Sequence, residues 1–345
     1  SGLSWRWIFF VNLPIGAVAV AITVMHVAES REPMARRPDW LGFALFTIAL
    51  SILVYGLIES GTRSFTSGLV LGCLIGACVL LVAFVIVEAR LRQPMFDLSL
   101  FRKPTFSGGS FAAFSISASI FALLLYLVLY LQDVLRYSAL GTGVRLLVIS
   151  GGILATSSIA GRLSSRAPVR LLIGPGLLAV GAGLLLMRGL DASSTWTHLI
   201  PGMIVCGLGI GLVNPPLAST AVGVVPAQHA GMASGINSTF RQVGIATGIA
   251  LLGTLFSSHV RDYVGVHAGI LAGHGQQVSA AIQSGGVGSI LRHLPPAARP
   301  IVEQVTRAAF ASGLNLIMLV AAIIALAGGV FALAAIRHQD FVQGA

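Results

Sequence analysis

Residues 122–131 read ALLLYLVLYL, ten residues without a charge, a glycine or a proline. A similar run, ILVYGLI, occupies residues 52–58. Strands of a transmembrane barrel alternate apolar and polar side chains, whereas a membrane-spanning helix is apolar on most sides. The composition agrees, because 56% of the 345 residues are hydrophobic, 9% are charged and the mean hydropathy is +0.91. The sequence therefore predicts an all-α integral membrane protein.

Apolar windows of about 20 residues, the length that a membrane-spanning helix needs, recur along the whole chain. Nine windows are bounded by charge, glycine or proline. They cover residues 8–27, 40–58, 68–87, 106–131, 141–160, 171–190, 199–219, 236–256 and 312–336. The sequence thus predicts nine transmembrane helices.

The net charge of +10 is concentrated on one side of these predicted helices. The richer side carries Arg31, Arg36, Arg37, Arg90, Arg92, Arg102, Lys103, Arg162, Arg166, Arg170, Arg241 and Arg337. The short segments of the other side hold Arg6, Arg63, Arg136 and Arg188. By the positive-inside rule the richer side, with the C-terminus, faces the cytoplasm. Because a nucleic-acid-binding face needs a contiguous basic surface interleaved with aromatic residues, no nucleic-acid partner is expected.

The first residues, SGLSWRWIFFVNLPIG, include no initiating methionine and no signal-peptide pattern. Nine helices with a cytoplasmic C-terminus put Ser1 outside, so we expect further helices upstream. The stretch resembles the W-R-W-x-F-x-x-N-x-P-x-G signature that opens the sixth helix of the fourteen-helix drug:proton antiporters, the EmrB/QacA-type branch of the major facilitator superfamily. The matching residues are Trp5, Arg6, Trp7, Asn12, Pro14 and Gly16. Five absent helices and nine present ones make fourteen.

Further motifs extend this resemblance along the chain. Residues 93–102, QPMFDLSLFR, are similar to the loop before the ninth family helix, and residues 130–134, YLQDV, to the end of that helix. Residues 225–244 resemble the V-P, G-x-A-S-G and R-Q-x-G run of the thirteenth helix, with Arg241 and Gln242 in the last motif. The resemblance implies five regions. They are the sixth helix (1–27), a central extra helix pair with basic cytoplasmic loops (28–105), five helices of the C-terminal bundle (106–256), a long extracytoplasmic loop (257–311) and the last helix with a cytoplasmic tail (312–345).

The resemblance implies a secondary active transporter in the plasma membrane. Such a protein exports drugs or other small hydrophobic compounds in exchange for protons, by alternating access between two helix bundles. The expected partners are the lipid bilayer, a small hydrophobic or cationic substrate, protons and the absent N-terminal helices. We expect no cofactor, no metal and no enzymatic activity. Two alternatives stay open: a non-transporting membrane fragment or assembly partner, and a membrane-embedded transferase with His, Asp or Glu at the bilayer edge.

Residues 161–170, GRLSSRAPVR, resemble a cytoplasmic loop that clamps neighbouring helix ends in this family. Gly161, Arg162, Arg166 and Arg170 match its pattern. Ser165 and Pro168 replace an acidic residue and a glycine, so the charge relay associated with that loop is not expected. The alternative is that these arginines only set the topology.

Residues 207–216, GLGIGLVNPP, predict a moving element of the substrate pathway. Gly207 and Gly211 permit close helix approach, while Pro215 and Pro216 remove backbone donors and favour a kink. Asn214 is a polar residue inside this apolar span, which is typical of a helix that lines a cavity. The alternative is tight packing, with Asn214 bonded to a carbonyl that the prolines leave without a donor.

Three further residues are candidates for the substrate pathway. Arg145 lies one turn into the fifth predicted helix, where a charge is costly unless it faces water or a partner. Tyr126 and Tyr130 lie one turn apart and could line a pocket for flat cations, although such residues also form aromatic belts at the membrane surface. Arg241 has the alternative of extending to the lipid headgroups.

Acidic residues are absent from the centres of all nine windows, since Glu59, Glu88, Asp133 and Asp191 lie near their ends. Proton coupling needs a group whose protonation changes between the two access states. In the family such acids belong largely to the N-terminal half, so we expect the coupling residue upstream of this chain. Scattered His and Cys residues match no compact metal-ligand spacing.

Overall fold

The structure is a computed structural model. It describes residues 7–26, 39–63, 67–91, 96–164, 166–226, 229–267, 275–284 and 299–341. Within these ranges the chain is helical, with no strand, which confirms the predicted all-α membrane fold. Trp5 and Arg6 of the predicted motif lie outside them.

Eleven α-helices occur in the described ranges. They are α1 (Trp7–Phe10), α2 (Asn12–His26), α3 (Trp40–Thr62), α4 (Gly68–Arg90), α5 (Pro104–Leu129), α6 (Ala139–Leu163), α7 (Arg170–Leu186), α8 (Ile200–Gly223), α9 (Ala230–Val266), α10 (Gly275–Ser284) and α11 (Arg299–Ala335). One π-helical turn, Tyr130–Val134, continues α5, and short 3-10 turns cover Leu98–Arg102, Trp196–Leu199 and His338–Asp340.

Seven of the described helices are long and apolar enough to cross a membrane, namely α3, α4, α5, α6, α8, α9 and α11. Two of the predicted spans correspond to shorter apolar helices, α2 and α7. The chain divides into two compact units, residues 1–39 and residues 40–345. In the first unit Pro14 and Gly16 lie within α2, and the Trp7 ring meets Phe10 edge-on at 6.1 Å.

Six helices of the second unit, α5, α6, α7, α8, α9 and α11, form one bundle. α5 packs on α9 and α11, α8 packs on both α6 and α7, and α7 also contacts α11. The pair α3 and α4 joins this bundle through contacts of α3 with α9. The assignment of α3 and α4 as a central extra pair beside a C-terminal bundle stays a prediction.

Glycines bring the backbones of these helices into direct contact. A Cβ atom at Gly209 of α8 would lie 2.6 Å from the carbonyl oxygen of Gly176 on α7. A Cβ atom at Gly152 of α6 would lie 2.9 Å from the backbone nitrogen of Leu208. Because lipid tails are as apolar as leucine, close van der Waals packing of this kind holds membrane helices together.

Hydrogen bonds tie the ends of the bundle helices at the predicted cytoplasmic side. The Lys103 ammonium donates to the Val224 carbonyl oxygen at 2.7 Å, just beyond the C-terminus of α8. The Thr105 hydroxyl donates to the Asp340 carboxylate at 2.7 Å, and the Thr105 backbone N–H donates to it at 3.2 Å. These are favourable placements for a cation at a helix C-terminus and an anion at a helix N-terminus.

Two predicted helix boundaries differ from the observed ones beside the outer loops. α9 continues to Val266 and α11 begins at Arg299, so both helices extend into the predicted loop 257–311. Apolar side chains make these extensions stable, because Val260, Val264 and Val302 are buried between α9, α10 and α11.

The connection between α7 and α8 is held by Asn315 of α11. The side-chain oxygen of Asn315 accepts hydrogen bonds from the backbone N–H groups of Gly189 and Leu190 at 3.0 and 3.1 Å. The amide nitrogen donates to the Leu190 carbonyl oxygen at 2.8 Å. Gly189 has a φ of +88°, which favours glycine. This turn explains why α7 ends at Leu186, before the predicted limit of residue 190.

Asp191 stabilises the connection between α7 and α8 through hydrogen bonds with residues of that connection. Its carboxylate accepts hydrogen bonds from the hydroxyls of Ser193 and Ser194 at 2.8 and 2.9 Å. These bonds stabilise the charged form and lower the pKa of Asp191 below its ordinary value.

Candidate substrate cleft

A cleft of about 210 Å³ opens between α5, α6, α8 and α9. Most of its lining is apolar, and three polar residues, Ser117, Asn214 and Arg241, come from three different helices. The apolar lining residues are Ile116, Ile120, Phe121, Leu124, Ile149, Ile153 and Ile210. A largely apolar cavity with a few convergent polar groups is the usual form of a small-molecule site.

Ser117 places an unused hydroxyl in this cleft. Its side chain is 2% exposed, and its Oγ has no hydrogen-bond partner. Two residues further along α5, the Ser119 hydroxyl instead donates to the Ser115 carbonyl oxygen at 2.8 Å, as serines in helices commonly do. The Ser117 hydroxyl therefore keeps both its donor and its acceptor capacity for another molecule.

Asn214 contributes a second unsatisfied group, from α8. Its Oδ1 atom is buried and has no hydrogen-bond partner. α8 stays helical through Pro215 and Pro216 to Gly223, and the Thr220 hydroxyl donates to the Pro216 carbonyl oxygen at 2.7 Å. Among the residues that the structure covers, Asn214 makes no bond to a carbonyl that the prolines leave without a donor. The predicted kink and gating role of this stretch stay predictions.

Arg241 contributes the charge of the cleft. α9 begins at Ala230, so Arg241 lies eleven residues into the helix, about 16 Å along its axis. A Cβ atom at Gly244 would lie 2.5 Å from the Phe114 carbonyl oxygen, so α9 and α5 are in backbone contact just beyond Arg241. The guanidinium forms no hydrogen bond or ion pair with any other described residue. Gln242 is exposed and lines a separate, smaller pocket between α3 and α9.

Arg145 lies outside this cleft. Its guanidinium stacks over the Tyr137 ring at 3.5 Å and lies 5.0 Å from the Trp196 ring, and one nitrogen donates to the Gly141 carbonyl oxygen at 2.9 Å. Contacts of Gly207 with Ile149, and of Gly211 with Ile153, show that α6 and α8 run side by side in the same direction. Along these helices Arg145 and Asn214 are about 16 Å apart.

Tyr126 and Tyr130 also lie apart from the cleft, in the packed interior. The Tyr126 ring lies 4.4 Å from the Phe256 ring, and the Tyr130 ring lies 5.9 Å from the Phe310 ring. Tyr130 is 1% exposed, and its hydroxyl donates to the Ser194 carbonyl oxygen at 3.4 Å. The structure thus joins Asn214 with Arg241, and it separates both from Arg145 and the two tyrosines.

Of the remaining predicted site residues, two glycines pack against a neighbouring helix and the clamp-loop residues are exposed. Gly207 and Gly211 face the α6 backbone, where a Cβ atom at Gly211 would lie 2.6 Å from the Ile153 carbonyl oxygen. The predicted clamp-loop residues Gly161, Arg162, Arg166 and Arg170 are exposed, and Ser165 between them lies outside the described residues.

The sequence did not single out Ser117, although a signal for it exists. α5 carries serines at positions 107, 110, 115, 117 and 119, a polar stripe in a span that is otherwise apolar. Hydroxyls in a membrane helix point to helix contacts or to a pathway. Only the packing separates Ser117, which faces the cleft, from Ser115, which lies beside Gly328 of α11.

The cleft offers hydrogen bonds and one positive charge, which suits reversible binding. The described residues contain no group of three His, Cys, Asp or Glu side chains that could hold a metal ion. The lining residues include no carboxylate, histidine or cysteine, the usual groups of acid–base and nucleophilic catalysis.

Comparison with known proteins identifies the family. Residues 1–249 match the Major Facilitator Superfamily, and the chain belongs to this family of membrane transporters. It is 35% identical over 254 residues to the multidrug resistance protein Stp of Mycobacterium tuberculosis, an alignment that covers 74% of this chain and 47% of Stp. It is 35% identical over 285 residues to the puromycin resistance protein pur8 of Streptomyces alboniger, an alignment that covers 81% of this chain and 55% of pur8.

A solved structure supports the fold. The chain superimposes with a TM-score of 0.52 and 17% identity on an inward-facing bacterial homologue of the human lysosomal transporter Spinster, covering 86% of this chain and 70% of that one. The chain spans about half the length of the curated relatives that it matches. The family is one of membrane transporters, which confirms the prediction that the chain is not an enzyme.

Proposed function

We propose that this chain is part of an exporter of small hydrophobic compounds, of the fourteen-helix drug:proton antiporter branch. In this proposal α5 to α9 and α11 form one bundle of an alternating-access pair, α3 and α4 form the central extra pair, and α2 ends the other bundle. The observation that carries the proposal is the apolar cleft with unused polar groups on Ser117 and Asn214. Buried polar groups without partners are rare in proteins and call for a ligand or an ordered water.

The relatives favour this kind of substrate. The names of Stp and pur8 describe resistance to multiple drugs and to puromycin. Because this chain covers about half of each relative, we assign export to a protein that joins this chain to a second bundle. The protein is expected in the plasma membrane with its C-terminus in the cytoplasm, because the basic residues cluster on the same side of the predicted helices as the C-terminus and the positive-inside rule assigns such a side to the cytoplasm.

Proton coupling is the second part of the proposal. The spans of this chain contain no central Asp or Glu, and Glu59, Glu88 and Asp133 lie near helix ends. A membrane-embedded carboxylate is the usual proton carrier in such transporters. We therefore assign the coupling residue to the helices that precede α2 in the relatives.

We assign different roles to the residues that line the cleft and to the residues outside it. Ser117, Asn214 and Arg241 contact the substrate, and Gly207 and Gly211 let α8 move against α6. Arg145, Tyr126 and Tyr130 hold the outer end of the bundle together, a role that their aromatic contacts favour. The arginines of the clamp loop meet helix ends or anionic lipid at the inner surface.

The test is efflux by the reading frame that contains this chain, including any in-frame sequence upstream of the Ser1 codon. Expressed in a drug-sensitive bacterial host, this protein should lower the accumulation of puromycin, and a protonophore should abolish the effect. Asn214→Leu should reduce efflux roughly five- to thirtyfold, because each lost polar contact is worth about 1–2 kcal/mol. Equal accumulation with and without the protein, across a panel of hydrophobic antibiotics, would favour the non-transporting alternative.

A further inference from the structure

We infer that the cleft selects molecules that present a negatively charged or hydrogen-bond-accepting oxygen on an apolar frame, and that it disfavours cations. The inference rests on the proposed function and names its substrate class. It departs from the cationic substrates that the family resemblance suggests for this chain.

First, the cleft carries a positive charge. Among the described residues that line it, Arg241 is the only charged one. A guanidinium is always protonated in proteins and offers donors only. A cation bound beside it would meet a like charge in surroundings that screen the repulsion less than water does. An anion at the same place would gain the corresponding attraction.

The second step is the supply of hydrogen-bond donors. The Arg241 guanidinium, the Ser117 hydroxyl and the Asn214 amide nitrogen all donate, while Asn214 Oδ1 is the buried acceptor of the set. A sulfonate, carboxylate, phenolate or quinone oxygen has lone pairs for several of these donors at once. Charge-assisted hydrogen bonds of this kind are about twice as strong as neutral ones.

The third step is the shape of the remaining surface. Phe121 and Leu124 of α5 line the cleft together with Ile149 and Ile153 of α6, so the surface beside the polar residues is aromatic and branched aliphatic. Such a wall suits flat, fused or linked rings through apolar area and edge contacts. We therefore expect the bound molecule to be a ring system whose acceptor oxygen points toward Arg241.

The test uses two fluorescent probes that share one ring frame. 1-Anilinonaphthalene-8-sulfonate carries a sulfonate, and N-phenyl-1-naphthylamine is the same frame without it. Binding of each probe is titrated on the purified chain in phosphatidylcholine nanodiscs, so that no anionic lipid headgroup competes, and ethidium serves as the cationic probe. The variants are Arg241→Gln, Arg241→Lys and, as a control on a remote arginine that pairs with Glu303, Arg307→Gln.

The sulfonate probe should bind at least about tenfold more tightly than either the neutral probe or ethidium. Arg241→Gln should remove most of this preference without changing affinity for the neutral probe, and Arg241→Lys should restore part of it. Arg307→Gln should stay within about twofold of the unsubstituted chain. Equal binding of the two matched probes, an unchanged preference in Arg241→Gln, or tighter binding of ethidium would overturn the inference. Because the readout is binding, an absence of efflux would count against the proposed function alone.

Discussion

Asn214 and Asn315 both lie in helices of the bundle, yet their carboxamides have opposite surroundings. Asn315 makes three hydrogen bonds with the connection between α7 and α8, whereas Asn214 Oδ1 is buried in the cleft with no partner. A satisfied amide contributes to stability, and an unsatisfied buried one costs free energy. Asn315 thus stabilises the fold, whereas the proposed function gives the unsatisfied amide of Asn214 a role in binding substrate.

Substituting leucine at each position separates these two roles. Asn315→Leu should lower the free energy of unfolding by about 2–3 kcal/mol, because three hydrogen bonds are lost. Asn214→Leu should leave it within about 1 kcal/mol or raise it, since no bond is lost and a desolvated oxygen is removed. Unfolding of the purified chain in mixed micelles, followed by circular dichroism, measures both. Equal destabilisation by the two substitutions would show that Asn214 is a structural residue.

At the scale of helices, α8 is held by direct backbone contacts on two sides. Gly209 faces Gly176 of α7, while Gly207 and Gly211 face α6. The sequence predicted close helix approach at Gly207 and Gly211, and it did not indicate which helix they would meet. In a membrane span both faces are apolar, so the periodic pattern that orients a helix in a water-soluble protein is weak.

Adjacent glycines of α6 provide a matched test of this packing. A Cβ atom at Gly152 would lie 2.9 Å from the Leu208 nitrogen, whereas one at Gly151 would meet no atom within 4 Å. Gly152→Ala should therefore destabilise the chain by about 1–3 kcal/mol, because the helices must separate. Gly151→Ala should be neutral or stabilising by up to about 1 kcal/mol, since alanine favours the helix. Both free energies of unfolding are measured by circular dichroism in mixed micelles. An equal effect of the two substitutions would contradict the close packing of α6 on α8 at Gly152.

At the scale of the whole molecule, hydropathy predicted the all-α membrane fold because the bilayer requires long apolar helices, while the orientation inferred from charge stays a prediction. Length and apolarity alone indicated the long helices such as α5 and α6. They did not indicate that α9 and α11 extend into the predicted loop 257–311, because those extensions are stabilised by valines that are buried in the hydrophobic core of the bundle. Asn214 was singled out by its polarity inside an apolar span, and Arg241 by its sequence motif. Their position beside Ser117 in one cleft depends on how α5, α8 and α9 pack, which hydropathy does not predict.

The predicted topology can be tested with single cysteines in a chain without Cys73, Cys78 and Cys206. Ser138→Cys should react with a membrane-impermeant maleimide in intact cells, because the α5–α6 connection is expected outside. Arg102→Cys should react only after the membrane is opened, because the positive-inside rule places its basic segment in the cytoplasm. The reverse pattern would invert the orientation of every helix in this account.

Protection of one cysteine in the cleft tests the central claim most directly. Ser117→Cys, in a cysteine-free form of the protein used in the efflux test, is labelled with N-ethylmaleimide in membranes with and without puromycin, and Ser138→Cys serves as the exposed control. If the substrate binds in the cleft, puromycin should slow labelling at position 117 by roughly fivefold or more, in proportion to occupancy of the site, and should leave labelling at position 138 unchanged. An exporting protein whose position 117 is labelled at the same rate with saturating puromycin would show that the substrate binds elsewhere.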